Sequence, residues 1–523
     1  MASFAYLVES KTQLPEVMRA IEAKFPVKRE PRRVVCKTVL DTFDWRLFAR
    51  ASSLCAISDD GHSSLSFESP RQALNCRLPN GELPAFERDI PAGRMRELVG
   101  SAIDIRRLLA QVQVELKVQT ICLLNADQKT VARLHVQRGT AAKPDNSGTR
   151  KPLPLIVLLV PVKGYEQSKR VAADVIEHDI GLSRVADAPL NTAMRAVGVE
   201  PGAYVAKRTL MLEPDTRADQ ATIAICHSLL ETIRANEDGV HRNLDSEFLH
   251  EFRVAVRGTR SVLRLLKGVL PGAARAHFNT EFKWLGSITG PVRDLDVYLL
   301  KTPEYRAELP QSMRQDLDPL GEYLHQHHRG ERRRLVARLK SKRYRDLLSA
   351  WEEFLARGPS DDGTCPDAAR PIVAVASERT WKSYRRVYEC GRMIAPETRA
   401  EALHELRIDC KMLRYLVEFF SSLYPAKDVV ELVDALRQLQ DNLGDFNDLQ
   451  VQQDSLCTFA REMSDEGLAS VESLLAMGRL VEHLSQRQIG ERQRFAQCWI
   501  DFATPATRGR FRRLFKNPAA GAQ

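Results

Sequence analysis

One segment of this chain occurs twice, and that duplication constrains what the chain can fold into more than any other feature. Leu249-His250-Glu251-Phe252-Arg253 returns as Leu403-His404-Glu405-Leu406-Arg407. The same offset, 154 residues from His250 to His404, pairs Arg253 with Arg407, Arg257 with Lys411 and Arg260 with Arg414. It continues through Pro271 and Pro425, Leu285 and Leu439, Gly290 and Gly444, and Asp294-Leu295 and Asp448-Leu449. The repeated block is about forty-five residues long.

Within each copy the basic residues are three, four and three positions apart, which at about 100° per residue keeps them inside one arc of a helix. Leu249, Phe252, Val256, Leu263, Leu266 and Leu270 form a neighbouring apolar stripe, as do Leu403, Leu406, Leu413, Val417 and Phe420. Each copy therefore opens with a helix that has a core face and a cationic face. A single charged face reads as solvated surface. A solvated face has no need to repeat the same positions, so the duplication points to shared anion binding.

At 523 residues the chain exceeds one ordinary core, and two to four domains are expected. The formal charge of +9 is modest but uneven: Arg329 to Asp346 holds nine basic residues against two acids, the mark of a local basic site with an acidic partner. Ten cysteines are scattered without a C-x-x-C pair, as in a reducing compartment. Met1 to Phe25 has no apolar signal core, and the longest apolar run, Leu153 to Val162, contains Pro154 and Pro161 and is too short to span a bilayer. The expected location is cytoplasmic.

Up to residue 205 the texture is of short strands: Val34 to Leu40, Ser63 to Phe67, Val112 to Leu124, Thr130 to Arg138 and Leu153 to Val162, with helices at Leu14 to Lys24 and Gln167 to Ile180. Pro144 to Pro154 reads as a polar loop. An antiparallel sheet or small barrel is expected over residues 1–205. Over residues 214–516 the pattern turns helical, from Asp219 to Asn236 through Ala469 to Phe502, with breaks expected between Ile288 and Leu317 and between Leu443 and Asp448. The fold class is thus α+β, with a helical domain in two related halves, residues 214–358 and 366–516. The tail from Asn517 is expected to lack regular structure.

His250-Glu251-Phe252-Arg253-Val254-Ala255-Val256-Arg257, Arg293-Asp294-Leu295-Asp296-Val297, and His404-Glu405-Leu406-Arg407 through Leu413-Arg414-Tyr415 resemble the CHAD domain. Leu339-Lys340-Ser341-Lys342-Arg343-Tyr344 is similar to the segment leading into that family's third helix pair. The resemblance implies a pseudo-twofold helical domain whose basic helices line a groove for inorganic polyphosphate, and with it an association with polyphosphate granules. Gly258 departs from the family, which carries a further Arg there, so weaker binding is expected at that edge.

The N-terminal part resembles the CYTH fold, an antiparallel tunnel that hydrolyses triphosphates with metal help. Leu40-Asp41-Thr42-Phe43-Asp44-Trp45-Arg46-Leu47 and Leu65-Ser66-Phe67-Glu68-Ser69-Pro70 carry that resemblance. The chemistry it implies is missing. Phe4 to Lys11 lacks the E-x-E-x-K strand, Leu54-Cys55-Ala56-Ile57 replaces paired arginines, and Glu68 stands at a Lys position. From Asn146 to Tyr165 there is no acid, and Leu155, Val157 and Leu159 offer magnesium no oxygen ligand. Glu115, Lys117, Arg133 and His135 alternate as tunnel lining would, or as a solvated face does. The expectation is a tunnel fold without triphosphatase activity, no catalytic or metal residue and no cofactor; magnesium enters only with the enzymatic alternative.

His325, His327 and His328 read as surface, and Asp294, Asp296 and Asp448 as helix caps after glycine turns. For polyphosphate the candidate contacts are His250, Arg253, Arg257, Arg260, His404, Arg407, Lys411 and Arg414, with Lys283, Lys340, Lys342, Arg343, Lys382, Arg385 and Arg386 extending the basic surface. Arginine is the planar, bidentate donor that phosphate favours. No aromatics interleave with the stripes, so base-reading nucleic-acid recognition is not expected, while non-specific polyanion binding at low salt is. The alternatives are an active metal-dependent triphosphatase and a scaffold that docks an acidic protein.

Overall fold

The computed structural model describes residues 4–8, 13–78, 81–145, 148–185, 189–205, 210–358, 364–395 and 397–516. The tail from Asn517 lies outside them. The chain divides into two compact units, Met1–Ala206 and Lys207–Gln523.

The first unit is a ten-stranded antiparallel sheet. Its strands are β1 (Phe4–Val8), β2 (Val27–Arg29), β3 (Arg33–Asp41), β4 (Ser53–Asp59), β5 (His62–Glu68), β6 (Ala73–Arg77), β7 (Leu109–Leu124), β8 (Thr130–Ala142), β9 (Lys151–Pro152) and β10 (Leu155–Pro161). The order is β1-β10-β8-β7-β3-β4-β5-β6, with β2 on β7 and β9 on β8. Among the described residues four α-helices accompany it: α1 (Gln13–Glu22), α2 (Arg94–Ile103), α3 (Glu166–Asp174) and α4 (Pro189–Ala196). Tyr6, Ile121, Leu134, Val157 and Leu159 pack under α1 and α3, and Leu54, Leu65 and Phe67 pack under α2. Val35, Val39, Val112, Val114, Leu116 and Val118 form another apolar surface, capped by Ala193 and Met194 of α4.

The register separates Glu115, Lys117, Arg133 and His135, which the sequence left open as tunnel lining or as a solvated face. Glu115 and Lys117 stand opposite Thr140 and Arg138, while Arg133 and His135 stand opposite Cys122 and Thr120. Side chains alternate along β7, so odd-numbered Glu115 and Lys117 project from one face and the partners of Arg133 and His135 from the other.

The second unit has ten α-helices among the described residues: α5 (Ala218–Arg242), α6 (Ser246–Leu265), α7 (Gly272–Glu308), α8 (Asp318–Leu339), α9 (Lys342–Arg357), α10 (Ile372–Gly391), α11 (Ala400–Phe419), α12 (Ala426–Asp465), α13 (Val471–Phe502) and α14 (Pro505–Phe511). Shifted by the 154 residues that separate His250 from His404, α6 falls on α11 end for end, and the starts of α5 and α7 fall on those of α10 and α12. The repeat is therefore structural as well as sequential. Asp245 starts α6 by accepting the backbone N–H groups of Glu247 and Phe248.

The expected breaks after Ile288 and Leu443 do not occur. α7 runs through Gly290 and Pro291, and α12 runs unbroken through Gly444. Their apolar positions, Leu285, Val292 and Leu295 on α7 and Leu439, Leu443 and Leu449 on α12, are buried on both sides of those residues, and that burial outweighs the local breakers. Asp294, Asp296 and Asp448 consequently sit mid-helix and cap nothing. The halves share a core in which Leu295, Tyr298 and Tyr305 of α7 meet Leu449 and Leu456 of α12. There the Tyr305 hydroxyl donates to Gln452 Oε1 at 2.8 Å.

Candidate functional site

The cationic arcs of α6 and α11 come together. α6 packs against α5 and α7, α11 against α10 and α12, and α6 and α11 meet each other. Arg257 Nε on α6 donates to the hydroxyl of Tyr415 on α11 at 2.7 Å, a hydrogen bond between residues 158 positions apart. The two stripes thus form one basic seam with α7 and α12 along its sides.

On the α7 side Arg253 is tied to that helix. Its Nη1 donates to Gly286 O at 3.0 Å and to Thr289 Oγ1 at 2.9 Å. Burial pulls its affinity for the proton down, and the charge of Asp294 opposes that shift. Arg260 is half-buried, and its Nε has no hydrogen-bond partner. Burial, and then the neighbouring Arg264, lower its pKa. Arg257 is exposed.

On the α12 side Arg407 Nη2 donates to Asp448 Oδ1 at 3.1 Å. The ring nitrogen Nδ1 of His404 lies 2.7 Å from Asn447 Oδ1, and Asn447 Nδ2 donates to the same Asp448 oxygen at 3.3 Å. Arg414 Nε reaches Glu418 at 3.4 Å. Lys411 is the one amine in the two stripes, and its pKa is pushed down to about 8, first by burial and then by repulsion from Arg407 and Arg257. An anion placed here meets partly desolvated cations whose charges already strain against each other, and it relieves that strain.

The outlying candidates divide. Lys283 is exposed on α7, one turn before Gly286. Lys340 ends α8, exposed. Lys342 is paired with Asp346 at 2.6 Å. Arg343 clamps α9 to α7, bidentate to Glu281 at 2.9 Å and over the Trp284 ring at 4.2 Å. Arg386 of α10 pairs with Asp409 at 2.7 Å. Asp409 lies about half a turn around α11 from the stripe, so this pair faces away from the seam. Lys382 and Arg385 are exposed on α10 beside it. Gly258 is buried, 3.0 Å from Leu229 for an added Cβ, so the departure from Arg falls on the side facing α5 and not at an edge of the seam.

The histidine cluster is less superficial than its sequence suggests. His328 Nε2 lies 2.9 Å from Asp296 Oδ1, and the His327 ring lies tilted against that of Tyr323 with centroids 3.9 Å apart. Both rings are held by neighbours within the helical unit. Among the described residues no group of three or more His, Cys, Asp or Glu is placed to hold a metal ion. On β10 neither the Leu155, Val157, Leu159 side nor the Ile156, Leu158, Val160 side carries an oxygen ligand, so the metal implied by the CYTH resemblance does not fit this strand. Among the described residues no helix is long and apolar enough to cross a membrane.

A model of the CHAD domain family matches residues 224–457, which span both stripes. This part of the chain is a CHAD domain. The chain is similar to the crystal structure of the CHAD domain from the plant Ricinus communis, at 26% identity, covering 56% of this chain and 95% of that one, with a TM-score of 0.47. It is also similar to PptA from Streptomyces chartreusis, at 13% identity over 54% of this chain and 99% of that one, TM-score 0.44. The N-terminal sheet has CYTH-like neighbours. One is a Hippeastrum protein described as an adenylyl cyclase by assignment with a dominant triphosphatase activity, at 10% identity over 39% and 98% of the two chains, TM-score 0.27. No curated protein matches the chain.

Tyr415, Thr289 and Asn447 are the seam residues that sequence reasoning did not single out. Tyr415 was visible inside the second motif; nothing in its spacing announced a bond to Arg257.

Proposed function

We propose that the CHAD domain binds linear inorganic polyphosphate along the seam of α6 and α11, through Arg253, Arg257, Arg260, Arg407, Lys411 and Arg414 with His250 and His404 beside them. The observation that supports this most is convergence: the Arg257 to Tyr415 bond joins two duplicated basic helices, so cations from both halves face one ligand. A chain with about one charge per phosphate suits such a row, because each contact also releases condensed counterions. Guanidinium supplies paired donors to phosphate oxygens. The test is fluorescence anisotropy of end-labelled long-chain polyphosphate with the full-length protein over a salt series. Tight binding that weakens steeply with salt is expected; absence of a complex at low salt refutes the reading.

The N-terminal unit, in this reading, hydrolyses nothing. β10 lacks acids on both faces, and α4 caps the valine-rich surface of β3 and β7. Incubation with tripolyphosphate and magnesium should release no phosphate above the blank, and metal-dependent release would restore the enzymatic alternative.

A further inference from the structure

Asp448 and Asp294 occupy the same repeat position, beside Arg407 and Arg253, and neither is explained by the fold. Both are exposed and mid-helix. An acid facing a row of cations weakens the binding of any polyanion, yet the duplicated block keeps one in each copy. Asp448 takes Arg407 Nη2 at 3.1 Å, and Asn447, itself held by His404, donates to the same oxygen. Asp294 lies one turn after Gly290 on α7, where an added Cβ would be 3.6 Å from Arg253 Nη1, so its carboxylate sits on the face of α7 that Arg253 lies against; that Nη1 is already committed to Gly286 and Thr289.

We infer that Asp448, and more weakly Asp294, is an internal counter-anion that occupies the seam in the free protein and must be displaced from arginine by the incoming phosphate chain. The inference rests on the polyphosphate reading above and names what sets the strength of that site. Exchange is the deciding step. When a carboxylate of another protein replaces Asp448 on Arg407, one carboxylate contact is traded for an equivalent one, and nothing is gained. A phosphate chain gains, because it engages several cations of the seam at once and sheds counterions along its length. The tethered carboxylate therefore sets a threshold that a sparse acidic surface does not clear and a densely charged phosphate chain does. It raises that threshold for all ligands equally, so removing it should strengthen every polyanion by the same factor.

The experiment measures the affinity of full-length wild type, D294N, D448N and the double variant for long-chain polyphosphate, tripolyphosphate and polyglutamate at fixed salt and pH, with melting temperature as a control on folding. D448N is expected to bind each ligand about two- to fivefold more tightly, the range for release of an ion pair whose carboxylate is exposed to water. D294N should show a smaller gain, and both variants should melt as wild type does. Weaker phosphate binding by D448N would mean that the carboxylate positions Arg407 for the ligand, and unchanged affinity would mean that it does not compete; either result overturns the inference while leaving the polyphosphate reading in place. Wild type that binds no phosphate chain overturns the reading and the inference together.

Discussion

The two halves of the CHAD domain place cations at the same helical positions and hold them by different means. In the first half Arg253 is anchored to α7 by a backbone carbonyl and a hydroxyl, Gly286 and Thr289. In the second the residues at the matching positions are Gln440 and Leu443. Leu443 has no hydroxyl, and the Gln440 amide is turned to Cys410 O at 2.6 Å. Arg407 relies instead on a carboxylate that a ligand can replace. The cross-seam bond is also one-sided: Arg257 donates to the Tyr415 hydroxyl across the seam, whereas the residue at the matching position in the first half is Ser261, buried on α6, whose hydroxyl donates within its own helix to Arg257 O at 2.8 Å. The arrangement of charge has been kept between the halves while the scaffolding beneath it has diverged, as expected where the charge itself is what acts.

The sharpest way to break this comparison is to remove its matched pair. Each charge-assisted hydrogen bond contributes about 1.5–3 kcal/mol, so R253A/R407A should lose a hundredfold or more in polyphosphate affinity by anisotropy. The single variants should separate. R253A strips the partner from a buried hydroxyl and a carbonyl and should also lower the melting temperature, whereas R407A releases an exposed carboxylate and should leave it nearly unchanged. Equal destabilisation by both would mean that the anchoring of the halves does not differ in solution.

The cations were legible in the sequence because helical spacing and an unbroken offset are both one-dimensional signals. Their partners were not. Asp294 and Asp448 looked like caps because Gly290 and Gly444 precede them, and only the burial of Leu285, Val292, Leu439 and Leu449 keeps those helices intact. Arg343 and Arg386 looked available because Glu281 and Asp409 lie 62 and 23 residues away in the chain. In the sheet, the alternation that marked Glu115, Lys117, Arg133 and His135 as strand residues carries no register, and the register sends them to opposite faces.

A smaller effect separates Arg257 from its repeat partner Lys411 by pH. The lysine, held down to about 8 from an ordinary 10.5 by burial and the adjacent guanidiniums, gives up its proton within reach of ordinary buffers. A bound polyanion favours the ammonium, so binding should take up protons near pH 8, and affinity should fall severalfold as pH rises through that value. K411R should flatten the profile. The free domain should behave in the opposite sense: between pH 8 and 10.5 the unfolded chain holds the proton that the folded state has lost, so stability rises with pH. A K411R profile as steep as that of wild type would place the titrating group elsewhere.

The smallest change tests the one-sided link itself. Y415F removes the acceptor of Arg257 Nε and keeps the ring, which stacks on Phe419 with centroids 5.7 Å apart. Because Arg257 is exposed and water can replace the acceptor, losing this bond should cost about 1 kcal/mol of stability, less than a buried charge-assisted bond. Arg257 is exposed and retains its charge, so polyphosphate affinity should stay within about twofold of wild type, because exposed guanidinium can be re-solvated or taken by the ligand. A large loss of affinity with little loss of stability would show that the tyrosine fixes the spacing between the stripes, and that the halves act as one surface only while that single bond holds them in register.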